Sequence, residues 1–414
     1  MSFIFLIGKH AKLSIAEIAA VCGSDNVQWE QGQGFVEVEQ LPVASVDLLQ
    51  RLGGTVEIIE ILQKNVPHAA IEKEVTRIVL EAAQFQNKKF FFGVNFWPER
   101  EGGNPTRIRK LLMSIKKMLK ENSLRGAFAN NEGSNVNRVF VGKQGMDAIG
   151  TNVWIIKEEK PEHVSIGVTR AVQDIDAYSQ RDYEKPYRDA VSGMLPPKLA
   201  QVMINLGVGD GTPLVYDPFC GSGTILGEAL LMGFNVAGSD KDAAIIDGAQ
   251  QNVDWLRAQF RVPPTREVRL FTKSATQVTQ ENVIGRNSLN PKDPKKLLTV
   301  ITEPYLGPPL RQSPSPAQLN KIMGELSMLY MDFFENLASW IPKGTTVVFA
   351  FPLWNLGNSG SEKGRHESIA DQLIARIEGL GYTLSAFDPF QDVSLIYSRP
   401  DQQVAREIVR FVKS

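Results

Sequence analysis

Two cysteines, Cys22 and Cys220, are all that 414 residues contain, and they lie far apart in the chain. A disulfide framework is therefore excluded as the basis of the fold. Histidine is nearly as scarce: His10, His68, His163 and His366 show no paired ligand spacing, so no zinc or iron site is expected. Long apolar runs are also missing. The run FIFLI at residues 3–7 is too short for a membrane span or a signal-peptide core and has no small-residue cleavage pattern after it, which predicts a cytoplasmic protein with no membrane partner. Charge of one sign is not in excess either. Lys and Arg number 45 against 46 Asp and Glu, a net of -1 that argues against a chain that coats nucleic acid indiscriminately.

The charge is nevertheless uneven. Lys88, Lys89, Arg100, Arg107, Arg109, Lys110, Lys116, Lys117, Lys120 and Arg125 face only Glu99, Glu101 and Glu121 in the same stretch, a local balance of +7. A phosphate-facing surface is one reading. A solvated helix face is the other, because TRIRKLLMSIKKMLKEN (106–122) also carries Ile108, Leu111, Leu112, Ile115 and Leu119 as one apolar stripe.

At this length two or three domains are expected. The first 170 or so residues mix strand-like runs with amphipathic helices in no strict alternation, which predicts an α+β region of two small modules. SFIFLIG, FVEVEQL, KKFFFGVNFW, NRVFVGK, NVWIIKEE and VSIGVTRAV read as strands. In SIAEIAAVC, Ser14 with Glu17 three residues on reads as a capping box that opens a helix. Beyond a polar, proline-bearing segment at 174–205 the pattern changes. PLVYDPFC, FNVAGSD, EVRLFTKS, KLLTVITEP and TTVVFAF are strands separated by helical stretches, the alternation of a parallel sheet with helices on both faces. YTLSAFDPFQDVSLIYSRP (382–400) holds two strands too close for a helical crossover, hence an antiparallel hairpin at the sheet edge.

In such a sheet, ligands bind at the carboxyl ends of the strands. Gly221-Ser222-Gly223 carries the first strand of this half into its helix, but the spacing Gly221, Gly223, Gly227 is not the dinucleotide fingerprint. Asp217 at the end of that strand suits a cationic ligand and opposes a pyrophosphate. Asp240, closing the second strand, can accept both hydroxyls of a ribose. Ribose and positive charge without phosphate suggest S-adenosylmethionine.

DPFCGSGT resembles the first motif of amino-methyltransferases that act on nucleic acid bases. With GMLPPKLAQVMINL ahead of it and YSRPDQQVAREI near the end, the chain resembles the THUMP-containing tRNA guanine-N2 methyltransferases of archaea and eukaryotes, which modify guanosine at position 10. The resemblance implies a Rossmann-like class I α/β domain, a mostly parallel seven-stranded sheet with an antiparallel C-terminal hairpin, at 206–414. It implies a ferredoxin-like module at 1–60, a THUMP-like RNA-binding domain at 61–173 and a linker at 174–205. Asp217, Pro218, Phe219, Gly221, Gly223 and Thr224 match the cofactor motif, and Asp240 matches the ribose carboxylate. Ser274-Ala275 stands at the third strand's end where the family has an Asp-Ala pair, and the hydroxyl accepts more weakly than a carboxylate. Cys220 reads as a small packed residue, because methylating an amine needs no thiolate.

The stretch ITEPYLGPP (301–309) alone reads as an ordinary loop, with Pro304 ending a strand. In the family the fourth strand ends in DPPY or NPPY. There the acid or amide and a proline-fixed carbonyl hold the N–H bonds of the exocyclic amine, and the aromatic ring stacks on the extruded base. The aligned residues here are Thr302, Glu303, Pro304 and Tyr305. Pro304 and Tyr305 fit, Thr302 stands where the acid belongs, and Glu303 replaces the first proline. Either Glu303 takes over as acceptor through a local shift, or the chain binds cofactor and RNA without efficient catalysis. The expected partner is tRNA or another structured RNA, contacted by Arg107, Arg109, Lys110, Lys116, Lys117 and Lys120. An adenine-N6 DNA methylase and a non-catalytic RNA-binding protein with a retained cofactor fold are the alternatives.

Overall fold

Alternation of apolar side chains across successive residues builds the sheet of the N-terminal half. The computed structural model describes residues 2–86, 89–98, 105–131, 135–158, 160, 162–188, 194–209, 214–260, 262–285, 298–310, 312–355, 366–399 and 402–414. Lys88, Glu99, Arg100 and Glu101 of the basic stretch, and Pro400 and Asp401 of the C-terminal motif, lie outside them. The chain forms two units, Met1–Asp176 and Ala177–Ser414.

In the first unit the strands are β1 (Ser2–Ile7), β2 (Val27–Trp29), β3 (Phe35–Val38), β4 (Thr55–Pro67), β5 (Phe90–Trp97), β6 (Gly126–Phe128), β7 (Asn152–Lys157) and β8 (His163–Val172). They join one sheet in the order β2-β3-β1-β4-β8-β7-β5-β6. Only the β5 pairings with β6 and β7 are parallel. β4 crosses the 60/61 boundary drawn from the sequence and pairs with β1 on one side and β8 on the other. Successive residues of β7 serve opposite faces, as a period of two requires. Val153 and Ile155 pack with the helices Ile71–Ala83 and Pro105–Glu121, whereas Trp154 and Ile156 pack with Ile4, Leu6 and Ile59. Ile108, Leu111, Leu112, Ile115 and Leu119 are all buried. A buried side chain of that size contributes about 1.5–3 kcal/mol, enough in sum to hold the helix by its stripe and leave the opposite side without a packing task.

Two local readings are corrected here. NRVFVGK is the helix Arg138–Lys143 rather than a strand. The Asn137 side chain accepts from the Val139 N–H at 2.9 Å, capping it, and the Arg138 guanidinium turns to the buried Glu57 carboxylate at 2.8 Å. Ser14 does not open a helix. It lies within Ala11–Cys22, its hydroxyl donates to the His10 carbonyl, and Glu17 accepts from the Gly53 and Gly54 N–H groups at 2.9 and 2.8 Å.

The second unit contains β9 (Leu214–Asp217), β10 (Asn235–Asp240), β11 (Val268–Thr272), β12 (Thr299–Thr302), β13 (Thr346–Asn355), β14 (His366–Ser368), β15 (Tyr382–Ser385), β16 (Ser394–Tyr397) and β17 (Val404–Lys413). Seven of them run in the order β11-β10-β9-β12-β13-β17-β15, with β14 added on β13 and β16 on β17. The strands from β11 to β13 are parallel. β17 enters antiparallel between β13 and β15, a strand the sequence reading did not assign. β15 and β16 accordingly pair with β17 instead of forming a hairpin with each other. Aromatic side chains seal the sheet against the helix Pro316–Ala338: Tyr330 and Phe349 have ring centroids 5.1 Å apart, and Phe349 and Phe351 4.6 Å.

Chain order reverses between β9 and β12, which are neighbours. The crevice beyond their carboxyl ends is where this architecture receives a ligand. The described residues of 177–205 belong to the same unit. Pro197 starts the helix Pro197–Gly207, most of whose residues are buried, and the Arg181–Glu228 ion pair at 2.7 Å is almost wholly enclosed.

Candidate active site

β9 ends at Asp217 and the chain turns through Cys220–Gly223 before the helix Thr224–Leu231. The Cys220 N–H donates to the Ser239 carbonyl at 3.0 Å and the Gly223 N–H to the Cys220 carbonyl at 2.8 Å, drawing the turn tight against β10. Gly221 and Gly223 have φ of +49° and +81°, values that disfavour other residues. A Cβ on Gly221 would meet nothing within 4 Å, so the space above that residue is open to a ligand.

A cavity of about 340 Å³ lies over this turn. Asp217, Pro218, Phe219, Gly221 and Thr224 line it from the turn, Asp240 from the end of β10, and Ser274 and Ala275 from beyond β11. Glu303, Pro304 and Tyr305 line it from beyond β12. Gly223 shapes the turn without reaching the cavity wall. Thr302 does not reach it either. Fully buried, it donates its hydroxyl to Asp217 Oδ1 at 2.7 Å. Arg107, Arg109, Lys110, Lys116, Lys117 and Lys120 are on the helix Pro105–Glu121 of the other unit, all exposed. A shallower depression of about 480 Å³ on the N-terminal unit is bordered by Gln28, Glu37, Glu39 and Lys64.

Several contributors were not singled out as site residues from the sequence, although Met194 and Leu195 lie in GMLPPKLAQVMINL. Met194 and Leu195 reach the cavity from the segment ahead of the domain, and Leu329 from the helix Pro316–Ala338. Lys185 braces the turn from behind, its ammonium donating to Ser222 Oγ at 3.2 Å and Thr224 Oγ1 at 3.1 Å. Burial lowers this lysine to about 8, against the pull of the Asp182 carboxylate. Cys220 is packed, and burial pushes its thiol well above the ordinary range.

The carboxylates set the electrostatics. Burial raises Asp217 to about 7 in spite of its hydrogen bonds from Thr302 and the Phe219 N–H, and the nearby Asp240 and Glu303 charges push the same way. No cationic side chain bonds Asp217 among the described residues. Glu303 is differently placed: its Oε1 accepts from Arg406 Nε at 2.7 Å. The Tyr305 carbonyl accepts from the Tyr330 hydroxyl at 2.6 Å, which anchors the backbone while the Tyr305 ring stays half-exposed.

Residues 185–270, which contain this turn, match the RMKL-like methyltransferase domain family. The fold is shared with TrmN from Thermus thermophilus, at a TM-score of 0.50 and 14% identity with all of both chains covered. The Ala177–Ser414 unit has the class I methyltransferase fold. The chain is 25% identical over 361 residues to the tRNA (guanine(10)-N2)-dimethyltransferase of Methanothermobacter thermautotrophicus, covering 84% of this chain and 88% of that one. The enzyme of the same name from Pyrococcus abyssi is 41% identical over 61 residues, 15% of this chain and 18% of that one.

Methyltransferases of this class draw the methyl group from S-adenosylmethionine, which supplies an electrophilic carbon on a sulfonium. The residues present fit that cofactor. Asp217 is a buried acid without a counter-charge, the backbone at Gly221 is bare, and Asp240 bonds only the Asp242 N–H of its own turn, at 3.1 Å, leaving Oδ2 unpartnered among the described residues.

A pH dependence follows from Asp217. With its carboxyl raised from the ordinary aspartate value of 3.8 to about 7, the native methyltransferase binds more protons than the unfolded chain between those values. Stability of the unliganded protein therefore falls as pH rises through that window and levels off above it. A cationic ligand favours the ionised form, so cofactor binding at pH 6 releases close to one proton and at pH 8.5 almost none. Calorimetry in buffers of different ionisation enthalpy measures this release, and Asp217→Asn abolishes it. An observed enthalpy that is the same in every buffer at pH 6 would contradict the assignment.

Proposed function

We propose that this methyltransferase transfers a methyl group from S-adenosylmethionine to an exocyclic base amine in RNA, most specifically guanine N2 in tRNA. The observation that carries the reading is the convergence, in one cavity, of Glu303, Pro304 and Tyr305 with the cofactor-side residues Asp217, Gly221 and Asp240. An exocyclic amine is a poor nucleophile because its lone pair is delocalised into the ring. Acceptors that bind its N–H groups turn the lone pair out of the ring plane and toward the methyl carbon. The Glu303 carboxylate and a backbone carbonyl fixed by Pro304 are those acceptors, and the half-exposed Tyr305 ring stacks on the extruded base. The named activity of the relatives that align with this chain, tRNA (guanine(10)-N2)-dimethyltransferase, supports guanine N2 and tRNA.

The N-terminal unit is the RNA-binding part in this reading. A ferredoxin-like and THUMP-like region precedes the catalytic domain and presents the six basic side chains of Pro105–Glu121. No helix among the described residues is long and apolar enough to cross a membrane, and no group of His, Cys, Asp or Glu among them is arranged to hold a metal.

Incubating the protein and labelled cofactor with unmodified tRNA transcripts and with duplex DNA, then analysing the nucleosides, tests the reading. Methylated N2-guanosine in tRNA is expected. N6-methyladenine in DNA would overturn it in favour of a DNA methylase, and cofactor binding without any methylated product would make the chain a binding protein. Asp240→Ala should weaken cofactor binding by about tenfold or more, through loss of charge-assisted bonds to the ribose, with little change in thermal unfolding because the side chain is half-exposed. Unchanged affinity by calorimetry would remove Asp240 from the site.

A further inference from the structure

The carboxylate at Glu303 faces a difficulty that its residue type creates. Glutamate has one more rotatable bond than aspartate, and an acceptor that samples several rotamers loses the preorganisation on which transition-state hydrogen bonding depends. The structure supplies a restraint. Arg406 Nε donates to Glu303 Oε1 at 2.7 Å, and the two side chains are only 10% and 15% exposed. No described residue bonds Oε2, and Glu303 lines the cofactor cavity.

Arg406 is itself fixed. It lies in β17, opposite Pro352 of β13 and Tyr397 of β16, so its backbone is held by strands on both sides. Its Nη1 donates to Gln402 Oε1 at 2.8 Å and to the Val404 carbonyl at 3.3 Å. A guanidinium locked by its own strand is a rigid reference for a flexible carboxylate. The cationic partner also offsets the cost of keeping a carboxylate in a cavity that contains Asp217 and Asp240.

We infer that Arg406 is a positioning residue for methyl transfer: by binding Oε1 it fixes the Glu303 carboxylate and leaves Oε2 as the acceptor for the amine N–H. The inference rests on the function proposed above. It assigns a catalytic task to the last strand of the sheet, and it explains how an acid displaced by one residue serves in place of one at position 302.

A double-mutant cycle on the full-length protein tests it, with tRNA and S-adenosylmethionine as substrates. Arg406→Gln should lower kcat by about 10–100-fold with KM for tRNA changed only a few-fold, and Arg406→Lys should recover part of the loss. In the Glu303→Gln background, Arg406→Gln should change kcat by less than about threefold, because the group it positions is already gone. A purely structural arginine would cost the same factor in both backgrounds. Should Arg406→Gln fail to fold, Gln402→Ala removes the brace and leaves the ion pair, and a loss of kcat of at least about threefold with unchanged thermal unfolding supports the same conclusion. Equal losses in the two backgrounds, or full activity in Gln402→Ala where Arg406→Gln cannot be made, overturn the positioning role while the methyltransferase reading stands. A parent protein inactive on every tRNA overturns both.

Discussion

Glu303→Gln lowers methylation turnover about 10²-fold or more and leaves cofactor affinity within a factor of about two. The size of the loss comes from charge: the amide oxygen still accepts a hydrogen bond, but one that strengthens far less as positive charge develops on the amine. Affinity should survive because, in the proposed arrangement, Glu303 serves the base while Asp217 and Asp240 serve the cofactor in the shared cavity. Thr302 is not an alternative acceptor, since its hydroxyl is fully buried and already given to Asp217. Its replacement by Val acts through the Asp217 proton instead of the amine. Tyr305→Ala should impair turnover by lost stacking, worth about 1–3 kcal/mol per base. Single-turnover methylation of a tRNA transcript, alongside calorimetry with the cofactor, measures both quantities. Equal turnover in Glu303→Gln and parent would leave the acceptor role without support.

The parts of this site that could be read from the sequence are those whose partners are close along the chain. Asp217, the glycine turn and Thr224 form one strand–turn–helix, and the positive φ of Gly221 and Gly223 is a local demand that shows in residue type. The apolar stripe of 108–119 is legible for the same reason. Where the deciding partner is remote, local pattern misleads. Ser14 and Glu17 have the spacing of a capping box, yet Glu17 is claimed by N–H groups at Gly53 and Gly54. NRVFVGK alternates like a strand, but the Asn137 cap and the Arg138–Glu57 pair favour a helix. β17 was hidden by its charges. Arg406 and Glu407 are charged yet buried, because the Glu303 carboxylate accepts from Arg406 and the Ser368 hydroxyl donates to Glu407, both from distant elements. Met194 and Leu195 lie in GMLPPKLAQVMINL and Lys185 just ahead of it, but nothing local marks these three as site residues, and only the folded unit brings them to the turn.

We propose that the basic helix Pro105–Glu121 contacts RNA phosphates. Its apolar stripe is spent on the sheet, with Ile115 fully buried, and of the six exposed cations Lys116 lies over the Phe128 ring, 5.6 Å from its centroid. The Lys117–Glu121 contact is long, at 3.8 Å between exposed groups, and contributes little. From Arg109 to Lys120 the helix rises about 16 Å, long enough to follow several phosphates of an RNA backbone. Replacing Arg107, Arg109, Lys110, Lys116, Lys117 and Lys120 together by Gln should therefore lower tRNA affinity about 10²-fold at moderate salt and flatten the dependence of log K on log salt by about three to four. The fold should tolerate the change, because exposed substitutions each alter stability by no more than about 0.5 kcal/mol and the stripe is untouched. Cofactor affinity should be unaffected, the cavity being in the other unit. Filter binding or fluorescence anisotropy over a salt series separates the outcomes. A parallel loss of slope and affinity identifies phosphate contacts, whereas an unchanged slope means that the charges only solvate the helix and that RNA is held elsewhere.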